Sequence, residues 1–187
     1  MITKEAKNLG VIGYPIAHSL SPRMQGAAIA ASGADCAYIA LPVAPEALAA
    51  AVEGLRCLGF AGFNVTIPHK VAILPLLDAL DESARAIGAV NTVSIEAGRL
   101  RGYNTDGSGF VAALRKRNFS VEGCRVLLLG AGGAARAVLW GLAEAGARSL
   151  AIGARDAGKA RALAASLALR AEVEALDWQD ADRKSVV

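Results

Sequence analysis

A lysine at the end of a strand-like stretch is the first residue whose setting suggests chemistry. In Asn64-Val65-Thr66-Ile67-Pro68-His69-Lys70, apolar and polar residues alternate until Pro68, which has no N–H to continue a ladder. Strand ends in α/β proteins are where ligands are met. Beside Thr66 and an apolar wall, Lys70 suits a proton donor or acceptor if partial burial lowers its pKa. The plainer alternative is a solvated lysine opening a helix. Asp106, in Asn104-Thr105-Asp106-Gly107, is a carboxylate that could hold Lys70 and share its proton work, or a simple helix N-cap. Ser19 and Ser21 offer two hydroxyls for a small carboxylate, or are merely loop serines. Asn91 is a polar break in an apolar strand, either a binding group or a satisfied core amide.

A second constellation points to a nucleotide. Gly130-Ala131-Gly132-Gly133-Ala134-Ala135 fits the G-x-G-x-x-G/A fingerprint. Gly130 permits the tight turn, Gly132 admits a pyrophosphate, and Ala135 allows close helix–strand packing. The helix that follows would aim free N–H groups at phosphate. At the end of the next strand stands Ala154-Arg155-Asp156. Arg155, with Lys159 a turn further on, fits the 2′-phosphate of NADP; Asp156 fits the ribose hydroxyl of NAD, or else caps the next helix.

The elements that must carry these groups fall into two sets. Leu9–Ile12, Ala37–Val43 and Phe60–Ile67 read as strands. Helices are expected at Arg23–Ser32 (Ser21 as N-cap), Pro45–Arg56, Lys70–Leu80 with a break at Pro75, and Asp81–Ile87. A hairpin, Ala89–Glu96 with Leu100–Tyr103, closes a mixed, mainly parallel sheet. From Gly107 the texture changes. A connecting helix, Gly109–Arg117, leads to Arg125–Leu129, which by composition is a fully buried parallel strand. A helix to Ala145, a strand Ser149–Ala154, a helix Ala157–Leu169 and a strand Glu172–Ala175 follow. This is half of a doubly wound fold. The expected fold class is α/β, with residues 1–105 as a substrate-binding catalytic domain and 106–187 as an incomplete Rossmann-type dinucleotide-binding domain. Asp182-Arg183-Lys184-Ser185-Val186-Val187 reads as a non-native tail.

Composition excludes other classes. The net charge of +3 is too mild and dispersed for nucleic acid or an anionic membrane surface. The longest apolar run, Val126–Ala135, is far too short to span a bilayer, and no signal-peptide pattern opens the chain. Cys36, Cys57 and Cys124 are widely spaced without a Cys-x-x-Cys, so the expectation is reduced thiols, no metal and a cytoplasmic protein.

Taken in order, His18-Ser19-Leu20-Ser21-Pro22, Asn64 to Lys70, Gly88-Ala89-Val90-Asn91-Thr92, Asn104 to Gly107 and Gly130 to Ala134 resemble the shikimate dehydrogenase family. The resemblance implies NADPH-dependent reduction of 3-dehydroshikimate to shikimate, in aromatic amino-acid biosynthesis. It implies that Ser19 and Ser21 hold the substrate carboxylate, that Thr66, Asn91 and Asp106 meet ring hydroxyls, and that Lys70 and Asp106 are the catalytic pair. The implied cofactor site is Gly130, Ala131, Gly132, Gly133 and Ala134 with Arg155 and Lys159. His18 and His69 are expected to pack or hydrogen-bond only. Where the family shows Asn-Arg-Thr, this chain has Ala154-Arg155-Asp156, which keeps open an NAD-dependent quinate or shikimate dehydrogenase. A non-catalytic metabolite-binding module is the alternative of another class. The family's C-terminal region has no counterpart here, so the product as written is expected to be poorly soluble or inactive. A monomer or homodimer is expected.

Overall fold

A computed structural model of the chain describes residues 3, 5–167 and 171–177. They divide into two compact units. The first runs up to Arg85 and resumes over Ala89–Tyr103; the second takes Ala86–Gly88 and the chain from Asn104 onward. Residues 182–187, expected to be a non-native tail, lie outside the described residues.

The first unit holds strands β1 (Lys7–Gly13), β2 (Cys36–Pro42), β3 (Gly62–Val65), β4 (Ala79–Leu80), β5 (Thr92–Glu96) and β6 (Arg99–Tyr103). Its helices are α1 (Ser21–Ser32), α2 (Leu48–Cys57), α3 (His69–Ala72) and α4 (Glu82–Ile87). The sheet order is β2-β1-β3-β5-β6-β4. β1 runs parallel to β2 and β3, and β4 runs parallel to β6. β5 is antiparallel to both of its neighbours, β3 and β6. Strand alternation decides what each face does. Phe63 and Val65 of β3 join Ile12, Val93 and Leu100 in the core, where Leu48, Val52 and Leu55 of α2 complete it. Those three helix positions follow the spacing of one buried stripe. Asn64, between Phe63 and Val65, points to the opposite face.

Several expected bounds are corrected. Ser21 is the first residue of α1, not its N-cap; Leu20 takes that position without a side-chain bond. Ser19 does the local satisfying instead, its Oγ accepting from the Ser21 N–H at 3.2 Å. β3 stops at Val65, two residues short, because Thr66 and Ile67 already turn toward Pro68. The expected helix Lys70–Leu80 is the short α3, a 3-10 turn at Leu74–Leu76 around Pro75, and the two-residue strand β4. Proline removes a helical hydrogen bond, and the released chain pairs with β6.

The second unit holds α5 (Asp106–Lys116), β7 (Arg125–Leu129), α6 (Gly133–Glu144), β8 (Ser149–Ala154), α7 (Ala157–Ser166) and β9 (Glu172–Asp177). Its sheet is parallel in the order β7-β8-β9. Leu139 and Leu142 of α6, Leu150 and Ile152 of β8, and Ala160 and Leu163 of α7 form the core. β7 is not the fully buried strand its composition implies. Val126, Leu127 and Leu128 are half-buried and Leu129 is 61% exposed, because among the described residues β7 pairs only with β8. α5 begins three residues earlier than expected, so Asp106 is its first residue and Thr105 is the N-cap.

Helices α5 and α6 touch backbone to backbone. A Cβ on Gly141 would lie 2.6 Å from the Gly107 carbonyl oxygen, a contact that only displacement of a helix relieves. Gly141→Ala is therefore expected to destabilise this unit by about 1–3 kcal/mol. A Cβ at Gly109 of α5 meets nothing within 4 Å, so Gly109→Ala is expected to be neutral or stabilising by up to about 1 kcal/mol. Urea unfolding followed by helical circular dichroism compares the two; equal effects would contradict the close crossing.

Candidate functional site

In the first unit the candidate substrate groups sit on segments that leave one edge of the sheet. β1 and β3 both end there, with Ile12 opposite Val65, and β5 begins there, with Thr92 opposite Asn64. The loop after β1 carries Ser19 and Ser21. It is tied to the loop after β3 by the Tyr14 N–H, which donates to Ile67 O at 3.0 Å. Thr66 is held by its own N–H donating to Ile12 O at 3.0 Å. The end of β3 and the turn after it are held to the entry of β5 by two further bonds. The Val90 N–H donates to Lys70 O and the Val65 N–H to Asn91 O, each at 2.8 Å. Ser19, Ser21, Thr66 and Lys70 are half-buried, and Asn91 is buried.

Lys70 is the second residue of the one-turn helix α3, and its neighbour explains why that turn stays in place. His69 is 1% exposed and its Nε2–H donates to Val43 O at 2.7 Å. A carbonyl can only accept, which assigns the proton to Nε2. His69 thus anchors the start of α3 beneath the end of β2. His18 is exposed. Asn91 lies just before β5 rather than inside a strand.

Three polar residues outside the expected set form a chain of hydrogen bonds that leads to the same edge. The Tyr38 hydroxyl of β2 donates to Asn64 Oδ1 at 2.7 Å. Asn64 Nδ2 donates to Asn91 O at 3.2 Å and to Thr92 Oγ1 at 3.1 Å, and the Thr92 hydroxyl donates to Asn91 Oδ1 at 3.0 Å. Burial pushes the Tyr38 phenol up to about 12, so it stays protonated and able to donate across the neutral range. Asn64 was visible as part of its motif, but only the pairing of β1 with β2 and β3 brings Tyr38 to it.

In the second unit, Asp106 opens α5 and its N–H donates to Asn104 Oδ1 at 3.0 Å; Asn104 is buried. Asp106 and Lys70 thus belong to different units. The glycine-rich residues and the basic pair line one cleft of about 620 Å³, formed by Leu129, Gly130, Ala131, Gly132, Ala154, Arg155, Asp156 and Lys159. Gly130 has φ +121°, a region that glycine alone enters readily, and its N–H donates to Gly153 O at 2.8 Å. Gly132 is the N-cap of α6 in extended conformation. A Cβ on Gly132 would meet no protein atom within 4 Å, so the backbone faces room that a pyrophosphate can approach. The open N–H groups of the twelve-residue α6 begin beside it, and Gly133 and Ala134 are its first two residues. The residues present fit a dinucleotide.

Asp156 is occupied in its own helix. Its Oδ1 accepts from the Lys159 N–H at 3.1 Å, the side-chain cap of α7, and its Oδ2 lies 3.7 Å from Lys159 Nζ. The capping alternative is the one this geometry takes. Arg155 remains in the cleft wall as an exposed guanidinium. Among the described residues, no group of three or more His, Cys, Asp and Glu side chains could hold a metal, and no helix is long and apolar enough to cross a membrane.

Two family models match the chain: "Shikimate dehydrogenase substrate binding domain" over residues 11–93 and "Shikimate / quinate 5-dehydrogenase" over residues 113–184. A relative from Geobacter sp. strain M21, named shikimate dehydrogenase (NADP(+)), is 51% identical over 98% of this chain and 64% of its own length. The crystal structure of shikimate dehydrogenase from Aquifex aeolicus is 40% identical with a TM-score of 0.89, covering 98% of this chain and 68% of that one. The ligand-free 5-ketofructose reductase of Gluconobacter sp. strain CHM43 is 44% identical with a TM-score of 0.84, covering 94% of this chain and 64% of that one. The chain spans less than two thirds of the length of the curated relatives it matches, from 57% to 66%. With both domain models matched in order and these likenesses along nearly its whole length, the chain belongs to the shikimate dehydrogenase family.

Proposed function

We propose that this chain supplies the substrate site and the nucleotide cleft of an NADP-dependent shikimate dehydrogenase, which interconverts 3-dehydroshikimate and shikimate in aromatic amino-acid biosynthesis. The observation that carries the reading is the convergence of Ser19, Ser21, Thr66, Lys70 and Asn91 on segments leaving one edge of the six-stranded sheet. The serine hydroxyls bind the carboxylate; Thr66, Asn91 and Asp106 bind ring hydroxyls. Bound NADPH supplies the hydride chemistry for the ketone carbon. Lys70 Nζ stabilises the alkoxide that develops on the former ketone oxygen and delivers a proton to it, and Asp106 holds that ammonium in line. In the reverse direction the hydroxyl proton passes to Lys70. Gly130, Ala131, Gly132, Gly133 and Ala134 cradle the pyrophosphate, and Arg155 with Lys159 takes the 2′-phosphate. Residues 1–105 act as the substrate domain and 106–187 as part of the nucleotide domain, in a cytoplasmic protein working as a monomer or homodimer.

A second reading has a specific motive, the 44% identity to a 5-ketofructose reductase. That substrate is also a polyhydroxylated ketone but has no carboxylate. The two readings part at the serines, because only a carboxylate needs both hydroxyls. The test is NADPH absorbance with this chain carried on to the full length of its relatives, offered shikimate, quinate and 5-ketofructose with NADP or NAD. Turnover of shikimate with NADP is expected. Turnover of 5-ketofructose alone would replace the substrate, and preference for NAD would replace the cofactor.

A further inference from the structure

We infer that β2 is the joint of a homodimer, its outer edge pairing antiparallel with the same strand of a second copy about a two-fold axis at Ile39. The inference is independent of the substrate and cofactor readings; it takes the homodimer over the monomer and names its interface. The hydrogen bonds of β1 decide which groups of β2 point outward. Asn8 O accepts from the Ala61 N–H and Ile12 O from the Thr66 N–H, so the even-numbered residues of β1 serve the β3 side. At the two ends of the β1–β2 ladder the Lys7 N–H donates to Asp35 O and the Val43 N–H to Gly13 O, each at 3.0 Å. Bonded residues alternate along a strand, so Ala37, Ile39 and Leu41 turn their backbone groups to β1. Cys36, Tyr38, Ala40 and Pro42 turn theirs outward. Among the described residues, β1 is the only strand that pairs with β2.

That outward row complements a copy of itself. The Cys36 N–H is already spent on Ala34 O at 3.1 Å, and Pro42 has no N–H. The outward donors left are the N–H groups of Tyr38 and Ala40. Centred on Ile39, an antiparallel pair lets Tyr38 exchange both backbone bonds with Ala40 of the second copy, and Ala40 with its Tyr38. Beyond them Pro42 meets Cys36 and the ladder stops. A two-fold at Tyr38 sets Ala40 O against the spent Cys36 N–H, and one at Ala40 sets Tyr38 O against Pro42. In the Ile39 register alone, Tyr38 and Ala40 each use both N–H and C=O. The two Ile39 residues then stand directly opposite in the close, non-hydrogen-bonded position. Ile39 shares the face of Leu41, which packs on the core, yet it is 47% exposed. The pairing covers an isoleucine that the single chain leaves in water. The strand also lacks the devices that keep an edge apart. From Cys36 to Pro42 it has no charged residue and no bulge, and its proline stands only at the end. Beside it, α1 packs against β2 without one buried residue and exposes Met24, so this side of the unit is short of cover.

The test is sedimentation equilibrium of this chain over a range of concentrations. The wild-type chain is expected to approach twice the monomer mass as concentration rises. Ile39→Lys and Ile39→Glu each set like charges opposite one another and are expected to weaken the dimer about tenfold. Mixed in equal amounts, the Ile39→Lys and Ile39→Glu chains are expected to regain it. Ala40→Pro removes an outward N–H, leaves the ladder to β1 whole, and is expected to weaken the dimer likewise. Circular dichroism checks the fold of each variant, which substitution at the exposed residues 39 and 40 is expected to spare. A wild-type chain that stays monomeric at every concentration would overturn the joint. So would a dimer that survives all three substitutions, since the contact would then lie elsewhere, for instance at β7. Failure of the two charged variants to pair with each other would remove Ile39 from the axis and overturn the register. The chain carried on to the full length of its relatives is measured alongside. A monomer there, with a dimer here, would overturn the inference by giving the edge to the residues that follow.

Discussion

Replacing Lys70 by alanine is expected to lower kcat for shikimate oxidation by roughly 10²–10⁴-fold, the range general acid–base groups supply. The KM for shikimate is expected to change far less, because in the proposed site Ser19 and Ser21 still take the carboxylate and Thr66 and Asn91 the ring hydroxyls. The size of the effect comes from what alanine leaves behind. In the proposed site the alkoxide then loses the positive charge of Lys70, and water at that position is a much weaker proton donor. Lys70 contributes its backbone carbonyl to the bond with the Val90 N–H, and alanine keeps that bond. His69 anchors the turn by donating to Val43 O, and that bond is also kept. Steady-state kinetics in the chain carried on to the full length of its relatives decides it. Unchanged turnover would remove Lys70 from the mechanism, whereas a large rise in KM with kcat intact would make it a binding group only.

Arg155→Gln is expected to weaken NADP by roughly 10- to 30-fold and to leave NAD almost untouched, since a charged hydrogen bond to the 2′-phosphate is worth about 1.5–2 kcal/mol at an exposed position. The acid beside it does not undo this. Asp156 spends Oδ1 on the Lys159 N–H and holds Oδ2 near the same lysine's Nζ, so both of its oxygens are turned to α7. Calorimetric titration of 2′,5′-ADP against 5′-AMP measures the difference on this chain directly. Equal losses for the two ligands would show that Arg155 only shapes the cleft.

These two cases also show where the sequence could be read and where it could not. β7 and β8 have the bounds their apolar runs imply, Arg125–Leu129 and Ser149–Ala154, because a strand between glycine-rich turns is a local signal. The burial of β7 was not legible, because it depends on how many ladder partners a strand has. β4 was lost for a related reason. Two residues after Pro75 carry no period of their own, and only pairing with β6 makes them a strand. Among the site residues, the motif around Lys70 and the glycine turn announce themselves by residue type and spacing. The capping alternative for Asp156 could be named but not chosen, since the choice turns on where one carboxylate points. Tyr38 was illegible for a stronger reason. It sits in a run of strand-like residues, and its partner is 26 positions away on a strand that is not its neighbour.

The second margin of β7 has a consequence for the handling of the molecule. Among the described residues β7 is bonded on one side only, and such a strand displays a row of amide hydrogens and carbonyl oxygens that solvent must satisfy; at high concentration another copy's backbone can displace that solvent. A surplus of three positive charges does little to keep two such margins apart at physiological salt. High concentration, where another copy's backbone competes with water for that row, is then the stress this margin meets first.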